Sequence, residues 1–423
     1  MSISFRFLIG NGIAAAIILL PLIAFADSAP LSMQESVTLA LQRDSVLQQL
    51  AAGKQLVLAQ ATAAGQLPDP KLSAGIVNLP TNSYAVGQDS MTMQVIGISQ
   101  EFPAGHTRSL AEQRGRQLAD MQEAKIAERR RQVAQDVRVV WLNLYYASHA
   151  LQLVRSSATA FQQLADIAKV RYENGSGTQQ EWLRARLELA TLREQELDLQ
   201  AGMRIARAVL VRWLGEDAGT RRLPDSLPAL PAPPPYAGIL NALPSHPLAE
   251  ADNAQITAAQ TSVDIAEQAY QPAWGIDLSY GRRPGGDASG PFTNMVSAMV
   301  SVSLPIFTGK RQNQAVAAAR AQANASIDSR DDQLRQLKRM LDEDWARWQQ
   351  LQDLQTLYDQ TVLPDAGADV TAGFDAYRNG GGDFFELVRS QVDELDARMR
   401  RLKIETDLDS VKATLIYLAG ENS

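Results

Sequence analysis

Few residues in this 423-residue chain are of a type and spacing that could carry out bond chemistry. There is no cysteine, which removes disulfides, thiolate nucleophiles, thiolate metal sites and a lipid on an N-terminal Cys. The three histidines, His106, His149 and His246, stand far apart and no two have metal-ligand spacing, so no metal site and no cofactor is expected. No nucleophile sits in a recognisable elbow and no phosphate-cradling loop occurs, so the chain is not expected to be an enzyme. Met91, Met93, Met295 and Met299 carry thioethers able to bind Cu(I), but methionine in an apolar strand ordinarily serves packing.

What recurs instead is a turn bearing charged and aromatic groups. Tyr172 to Glu181 reads YENGSGTQQE and Tyr377 to Glu386 reads YRNGGGDFFE, with Tyr, Asn, Gly, Gly and Glu at matching positions. Asn174-Gly175 and Asn379-Gly380 tolerate the positive φ that a helix C-terminal cap requires. Glu181 and Glu386 follow six residues after Gly175 and Gly380, within reach of Tyr377, Arg378, Arg171 or Arg184 on a neighbouring hairpin. The chemistry open to such groups is an electrostatic latch. Gly175, Glu181, Tyr377, Arg378, Gly380, Phe384, Phe385 and Glu386 are therefore the candidate gate residues, with Phe384 and Phe385 also able to plug a bore.

The elements that carry these turns come in two copies. Leu41 and Leu243, Val46 and Leu248, Pro70 and Pro272, and Pro103 and Pro305 are all separated by 202 positions, whereas the turns, Tyr172 and Tyr377, are separated by 205. A three-residue insertion in a long helix accounts for the drift. The expected organisation is a signal peptide at 1–26, a first repeat at 27–220, a Pro-rich linker at 221–238 and a second repeat at 239–423. Prolines in RRLPDSLPALPAPPPYAG remove backbone donors and oppose helix.

Each copy reads helix, strand, strand, long helix, glycine turn, helix. The first helix opens on the capping-box spacing Ser32 to Glu35 and runs to about Gln66, before Pro68 and Pro70. The period then becomes two: Trp274, Ile276, Leu278 and Tyr280 alternate with Gly275, Asp277, Ser279 and Gly281. Leu72, Ala74 and Ile76 repeat this more weakly, and second strands are expected near 91–100 and 294–304. Strands of about ten residues suit a tilted membrane crossing, but four cannot close a barrel alone. From Val137 to Tyr172 apolar or small residues recur in alternating steps of four and three, as in a coiled-coil seam, and the second copy keeps a rougher version. A helix from Arg108 to Tyr172 would extend on the order of 100 Å. A cytoskeletal or adaptor coiled coil would have no use for the two apolar-faced strand hairpins.

Location follows from the first residues. Arg6, the apolar run from Phe7 to Phe25 and Ala24-Phe25-Ala26 have the form of a cleaved signal peptide, so the mature chain is expected to begin at Asp27. The formal net charge of −7 argues against nucleic acid as a partner.

The set of motifs resembles the TolC family of outer-membrane efflux ducts, and within it the CzcC-like subgroup that serves heavy-metal pumps. It comprises Leu67-Pro68-Asp69-Pro70-Lys71-Leu72-Ser73, Gln100-Glu101-Phe102-Pro103, Leu243-Pro244-Ser245-His246-Pro247, Leu304-Pro305-Ile306-Phe307 and the two Tyr-x-x-Gly turns, in that spacing over nearly the whole mature chain. The resemblance implies a mainly α protein with transmembrane β: a long coiled-coil α-helical barrel, plus four strands per chain in a twelve-stranded trimeric outer-membrane β-barrel. Its implied partners are two further copies, outer-membrane lipid, a periplasmic adaptor protein and an inner-membrane RND-type transporter. Its implied place is the outer membrane of a Gram-negative bacterium, extending into the periplasm. In the family a tyrosine and an arginine of the second tip bond an acidic residue of the first; here they fall on Tyr377, Gly382 and Glu181, so the arginine is missing. A periplasmic coiled-coil adaptor, or a duct for organic toxicants or secreted peptides, is the alternative reading.

Overall fold

The computed structural model describes residues 29–379 and 381–420; the expected signal peptide and Gly380 lie outside the described residues. The chain opens with helices α1 (Met33–Arg43) and α2 (Ser45–Ala64), where the sequence pattern suggests one. Ser32 caps α1 by accepting the Glu35 N–H at 3.1 Å. Asp44 interrupts it: its backbone is extended, and its carboxylate caps α2 through the Leu47 N–H at 2.7 Å while pairing with Arg129 at 2.8 Å. A buried carboxylate is retained where it has both a helix terminus and a guanidinium to satisfy it.

Strands β1 (Lys71–Val77) and β2 (Met93–Phe102) lead into α3 (Thr107–Glu173) and α4 (Gln179–Leu214), followed by the short α5 (Glu216–Gly219). The second repeat begins with α6 (Tyr236–Ala242), so the last three residues of the expected linker are helical, with Pro235 at the N-cap. A 3-10 turn over Leu243–Ser245 precedes α7 (Pro247–Gln268). Then follow β3 (Ala273–Arg282), a small hairpin of β4 (Gly286–Asp287) and β5 (Gly290–Pro291), β6 (Met295–Ser303), α8 (Gln312–Leu357), α9 (Leu363–Arg378) and α10 (Phe384–Ala419). The linker packs along α3 rather than hanging free: Leu223 is buried with Trp141 and Val137, and Tyr145 donates to the Asp225 carbonyl.

The four long strands form one antiparallel sheet in the order β1-β2-β3-β6. Register puts Leu72, Ile98, Leu278 and Ala298 in one row and Ala74, Ile96, Tyr280 and Val296 in another, all on one face. Ser73, Gly97, Ser279 and Ser297 share the other face, as do Ser99, Asp277 and Met299. Along β3 the apolar side chains are the exposed ones, while Asp277 and Ser279 are half-buried. A sheet in water does the reverse, so this face is built for hydrocarbon and the polar face for an enclosed aqueous lumen. Among the described residues no helix is long and apolar enough to cross a membrane. Met93, Met295 and Met299 sit on the same face as Ser279 and Asp277, with Met93 opposite Val77, and Met91 precedes β2.

Below the sheet the helices run as two long hairpins. The 67 residues of α3 span about 100 Å. Its seam is buried from Val137 through Ala168, with Val140 and Ala158 half-covered, and packs against α4 and α10. Tyr172, at the end of that pattern, is exposed instead and stacks on Trp182 with centroids 6.0 Å apart. In the second copy a π turn over Tyr358–Val362 separates α8 from α9, just before Pro364. The 205-residue offset is already present where the long helices start, at Thr107 and Gln312, so the three extra residues lie in the corner between β6 and α8 and not, as the sequence suggests, in the long helix.

Candidate functional site at the hairpin tips

The two tips have one design. After α3, Ser176 and Gly177 both donate to the Arg171 carbonyl, at 2.9 and 3.0 Å; after α9, Gly381 and Gly382 both donate to the Ala376 carbonyl, at 3.1 and 3.0 Å. Gly175 has φ +73°, the left-handed conformation the Asn-Gly pair suggests. The returning helices differ in their caps. Thr178 and Glu181 form a capping box, with Thr178 Oγ1 accepting the Glu181 N–H at 3.2 Å and Glu181 Oε2 accepting the Thr178 N–H at 3.3 Å. The sequence Thr-Gln-Gln-Glu carries that signature. On the second tip Asp383 caps through the Phe385 N–H at 2.8 Å, leaving Glu386 exposed, with no ion pair to another described residue.

Within one chain the tips meet through Tyr377. The Arg171 guanidinium lies 5.0 Å from its ring centroid, and Phe384 packs on it at 5.6 Å. Arg171 addresses the ring face, while the Tyr377 hydroxyl is buried without a hydrogen-bond partner among the described residues. Burial pushes the phenol above its ordinary value and the Glu181 carboxylate adds to this, against the opposing charge of Arg171. Glu181, Arg171 and Tyr377 are thus brought together, and in the same chain rather than only between neighbours. Arg378 is not among them: it points to Asp375 at 3.7 Å along its own helix. Arg184 likewise pairs with Glu188 at 2.6 Å.

Phe384 is 1% exposed, in a cluster with Phe161, Leu164, Ala185 and Leu387, so it holds the two hairpins together and does not plug a bore. Phe385 is half-buried and faces an open groove of about 920 Å³ between α4 and α10, beside Leu183, Arg184, Glu386 and Arg389. Gly382, where a family arginine would fall, has no room for a side chain: a Cβ there would lie 2.5 Å from the Tyr377 nitrogen and 2.8 Å from the Ala376 carbonyl carbon. Arg171 supplies a guanidinium to Tyr377 from the other hairpin.

The His149 ring bonds the Tyr145 and Asp225 carbonyls, whereas the His106 ring is exposed. His246 caps α7 through the Leu248 N–H at 3.3 Å and lies 1% exposed, near Glu128, Arg131 and Tyr417; burial, and then the Arg131 charge, lower its pKa to about 4. Among the described residues no group of His, Asp or Glu is arranged to hold a metal ion.

Residues 37–216 and 239–421 match the model of the family described as outer membrane efflux protein. The chain is 25% identical over 419 residues to the protein CyaE of Bordetella pertussis, covering 92% of this chain and 84% of that one. Its fold matches that of CusC, a protein studied for folding and transmembrane channel formation, with TM-score 0.76 at 16% identity over 93% of each chain. It also matches the outer membrane protein VceC of Vibrio cholerae, with TM-score 0.77 at 16% identity over 92% of this chain and 96% of that one. The open-state outer membrane channel MtrE of Neisseria gonorrhoeae gives 0.73 at 17% identity, over 92% and 88%.

Proposed function

The chain belongs to the outer membrane efflux protein family, and from that premise we propose that it is the outer-membrane duct of a tripartite pump that expels heavy-metal cations. The observation that carries the reading is the inverted sheet: exposed apolar residues on one face, polar residues half-enclosed on the other, and a free edge at each end. Strands with unpaired edges cannot remain in hydrocarbon, where every backbone N–H and C=O must be bonded. A homotrimer supplies twelve strands and closes the barrel, and the helical hairpins continue it as a tunnel into the periplasm. The tips would then receive a periplasmic adaptor, and the adaptor an inner-membrane transporter of the RND type.

Two observations support a metal cargo. One is the motif set that resembles the heavy-metal subgroup. The other is the placement of Met93, Met295 and Met299 on the polar face, where thioethers can meet soft cations. Selection of the cargo belongs to the transporter, and the duct only has to conduct.

The test pairs electron microscopy with susceptibility. Protein purified in detergent should appear as a trimeric cylinder at least about 100 Å long, set by the length of α3. Deleting the gene should sensitise cells to copper, silver, zinc, cobalt or cadmium salts. A soluble monomer would overturn the duct; unchanged metal tolerance with raised sensitivity to organic toxicants would overturn the cargo.

A further inference from the structure

Resting on the duct and metal cargo proposed above, we infer that the lumen wall carries a two-thioether station for soft monovalent cations, Cu(I) or Ag(I), built by Met93 and Met295 around Gly281. Register sets the three in place. Gly281 of β3 pairs with Val95 of β2 on one side and with Met295 of β6 on the other, and Met93 comes two residues before Val95, on the same face. Directly opposite residues on one face have Cβ atoms about 4.5–5.5 Å apart and diagonal ones lie about 7–8 Å apart, within reach of a long side chain.

Gly281 is what lets the two sulfurs approach. It is buried, although it belongs to the wall that faces the bore, and the Met93 side chain lies over it. A Cβ at Gly281 would meet Met93 Sδ at 3.0 Å, and the next nearest atoms, at 3.6 and 3.7 Å, are Cβ and Cγ of the same methionine. The Met93 thioether thus leans across β3, towards the strand that bears Met295. Met295 is 46% exposed, so a solute in the bore can reach its sulfur. A methionine that served packing alone would be covered.

Ligand type then selects the ion. Thioethers are neutral and polarisable, and they favour Cu(I) and Ag(I) over zinc, cobalt or other harder cations. The cross-strand neighbours Val77 and Val95 are apolar, and these two rows of the face hold no carboxylate and no histidine. A strongly hydrated cation finds nothing there to replace its water. On this face of β3 the acid is Asp277, four residues along and so about 13 Å away.

The station stands where the duct empties. Met93 opens β2, Met295 opens β6 and Gly281 is the last residue but one of β3, all at the end of the sheet far from the helices. Two ligands suit a site on a conduction path, where an ion must bind well enough to enter and weakly enough to leave.

The test is silver titrated calorimetrically into the full-length protein in detergent and nitrate buffer, where a saturable site at one ion per chain is expected. Met93→Leu with Met295→Leu keeps the side-chain volume and removes both sulfurs. Binding should weaken by at least the roughly ten-fold that even an outer-shell change costs a metal site, with heat-resistant trimers unchanged. Met299→Leu should bind as the parent does. Gly281→Ala keeps both sulfurs but pushes Met93 Sδ aside, and it should weaken binding too. A thioether has no proton to lose, so silver should bind equally at pH 7.5 and 5.5, and X-ray absorption of Cu(I)-loaded protein should show two sulfur neighbours per copper. Silver binding untouched by the double leucine variant, or Zn(II) bound as tightly at the same residues, would overturn the station. Silver bound there, while gene deletion leaves copper and silver tolerance unchanged, would overturn the cargo and keep the site. A parent that binds no silver, although deletion sensitises cells to it, would overturn the site and keep the cargo.

Discussion

The guanidinium of Arg171, on the last turn of α3, lies over the ring of Tyr377, on the last turn of α9, 5.0 Å from its centroid. This contact ties the first hairpin tip to the second inside each chain. A partly exposed cation-π pair contributes about 0.5–1 kcal/mol, and in the proposed trimer three copies acting together on one gate would contribute on the order of 2 kcal/mol. That is enough to move a closed-open equilibrium some thirty-fold. Arg171→Ala with Tyr377→Leu should therefore raise single-channel conductance in planar bilayers and admit vancomycin into cells. Glu181→Ala with Tyr377→Phe tests the acidic partner separately and should act in the same direction. Unchanged conductance and susceptibility with normal assembly would show that these residues do not hold the tip.

Strand faces make a second prediction. Ile276 is on the exposed apolar face and Ser279 on the half-buried polar one. Arginine at a lipid-facing site near the bilayer centre costs about 2–4 kcal/mol, and on a lumen wall far less. Ile276→Arg should abolish heat-resistant trimers on gels, and Ser279→Arg should leave them intact; equal tolerance at both would refute the face assignment.

At the second turn the test is steric. A methyl group at Gly382 would meet backbone atoms of Ala376 and Tyr377, which cannot swing aside, at 2.5–2.9 Å. Gly382→Ala should disorder that tip and speed its proteolytic nicking several-fold, with cleavage sites mapping next to residue 382. Gly175→Ala should also strain its turn, because φ there is +73° although the space beside it is open. A cleavage rate equal to the parent's would show that the turn has another way to close.

Acid should probe His246. Its pKa falls from 6.5 in the unfolded chain to about 4 in the fold, because burial and Arg131 disfavour the imidazolium. Above pH 6.5 both states are neutral at this residue and nothing is lost. Between 6.5 and 4 the unfolded chain binds the proton and the folded one does not, so stability drops as pH falls, by about 2 kcal/mol per chain at pH 5. Glu128 opposes this, since burial raises its pKa and acid relieves its charge. Comparing thermal unfolding of the parent and His246→Gln at pH 7.5 and 5 isolates the histidine: the parent's advantage should shrink at pH 5. An advantage that stays constant would exclude a buried neutral His246.

Much of this architecture was readable because it is written in period and repetition. The 3.6-residue pattern of α3 and the alternation of β3 each follow from which side chains must leave water, and that information is local. Two copies of a pattern confirm one another, so the glycine turns and hairpins could be placed from residue types alone. The break at Asp44 was harder to see, since it depends on Arg129, far along the chain, to neutralise the carboxylate. The face of Met93 was hard to see as well, since the weak alternation of β2 leaves it to the pairing with β1 and β3.

By itself, the sequence determined the order of elements, the length of the long helices, the apolar strand faces and the turns at their ends, because these follow from local sterics and hydrophobic period. Only the tertiary structure decided which groups meet. It joined β2 to β3 across the repeats, buried Phe384 between hairpins instead of in a bore, and gave Tyr377 the guanidinium of Arg171 because the turn leaves Gly382 no room for a side chain. Contacts of that kind depend on the distance between elements far apart in the chain, which is fixed when the helices pack and not before.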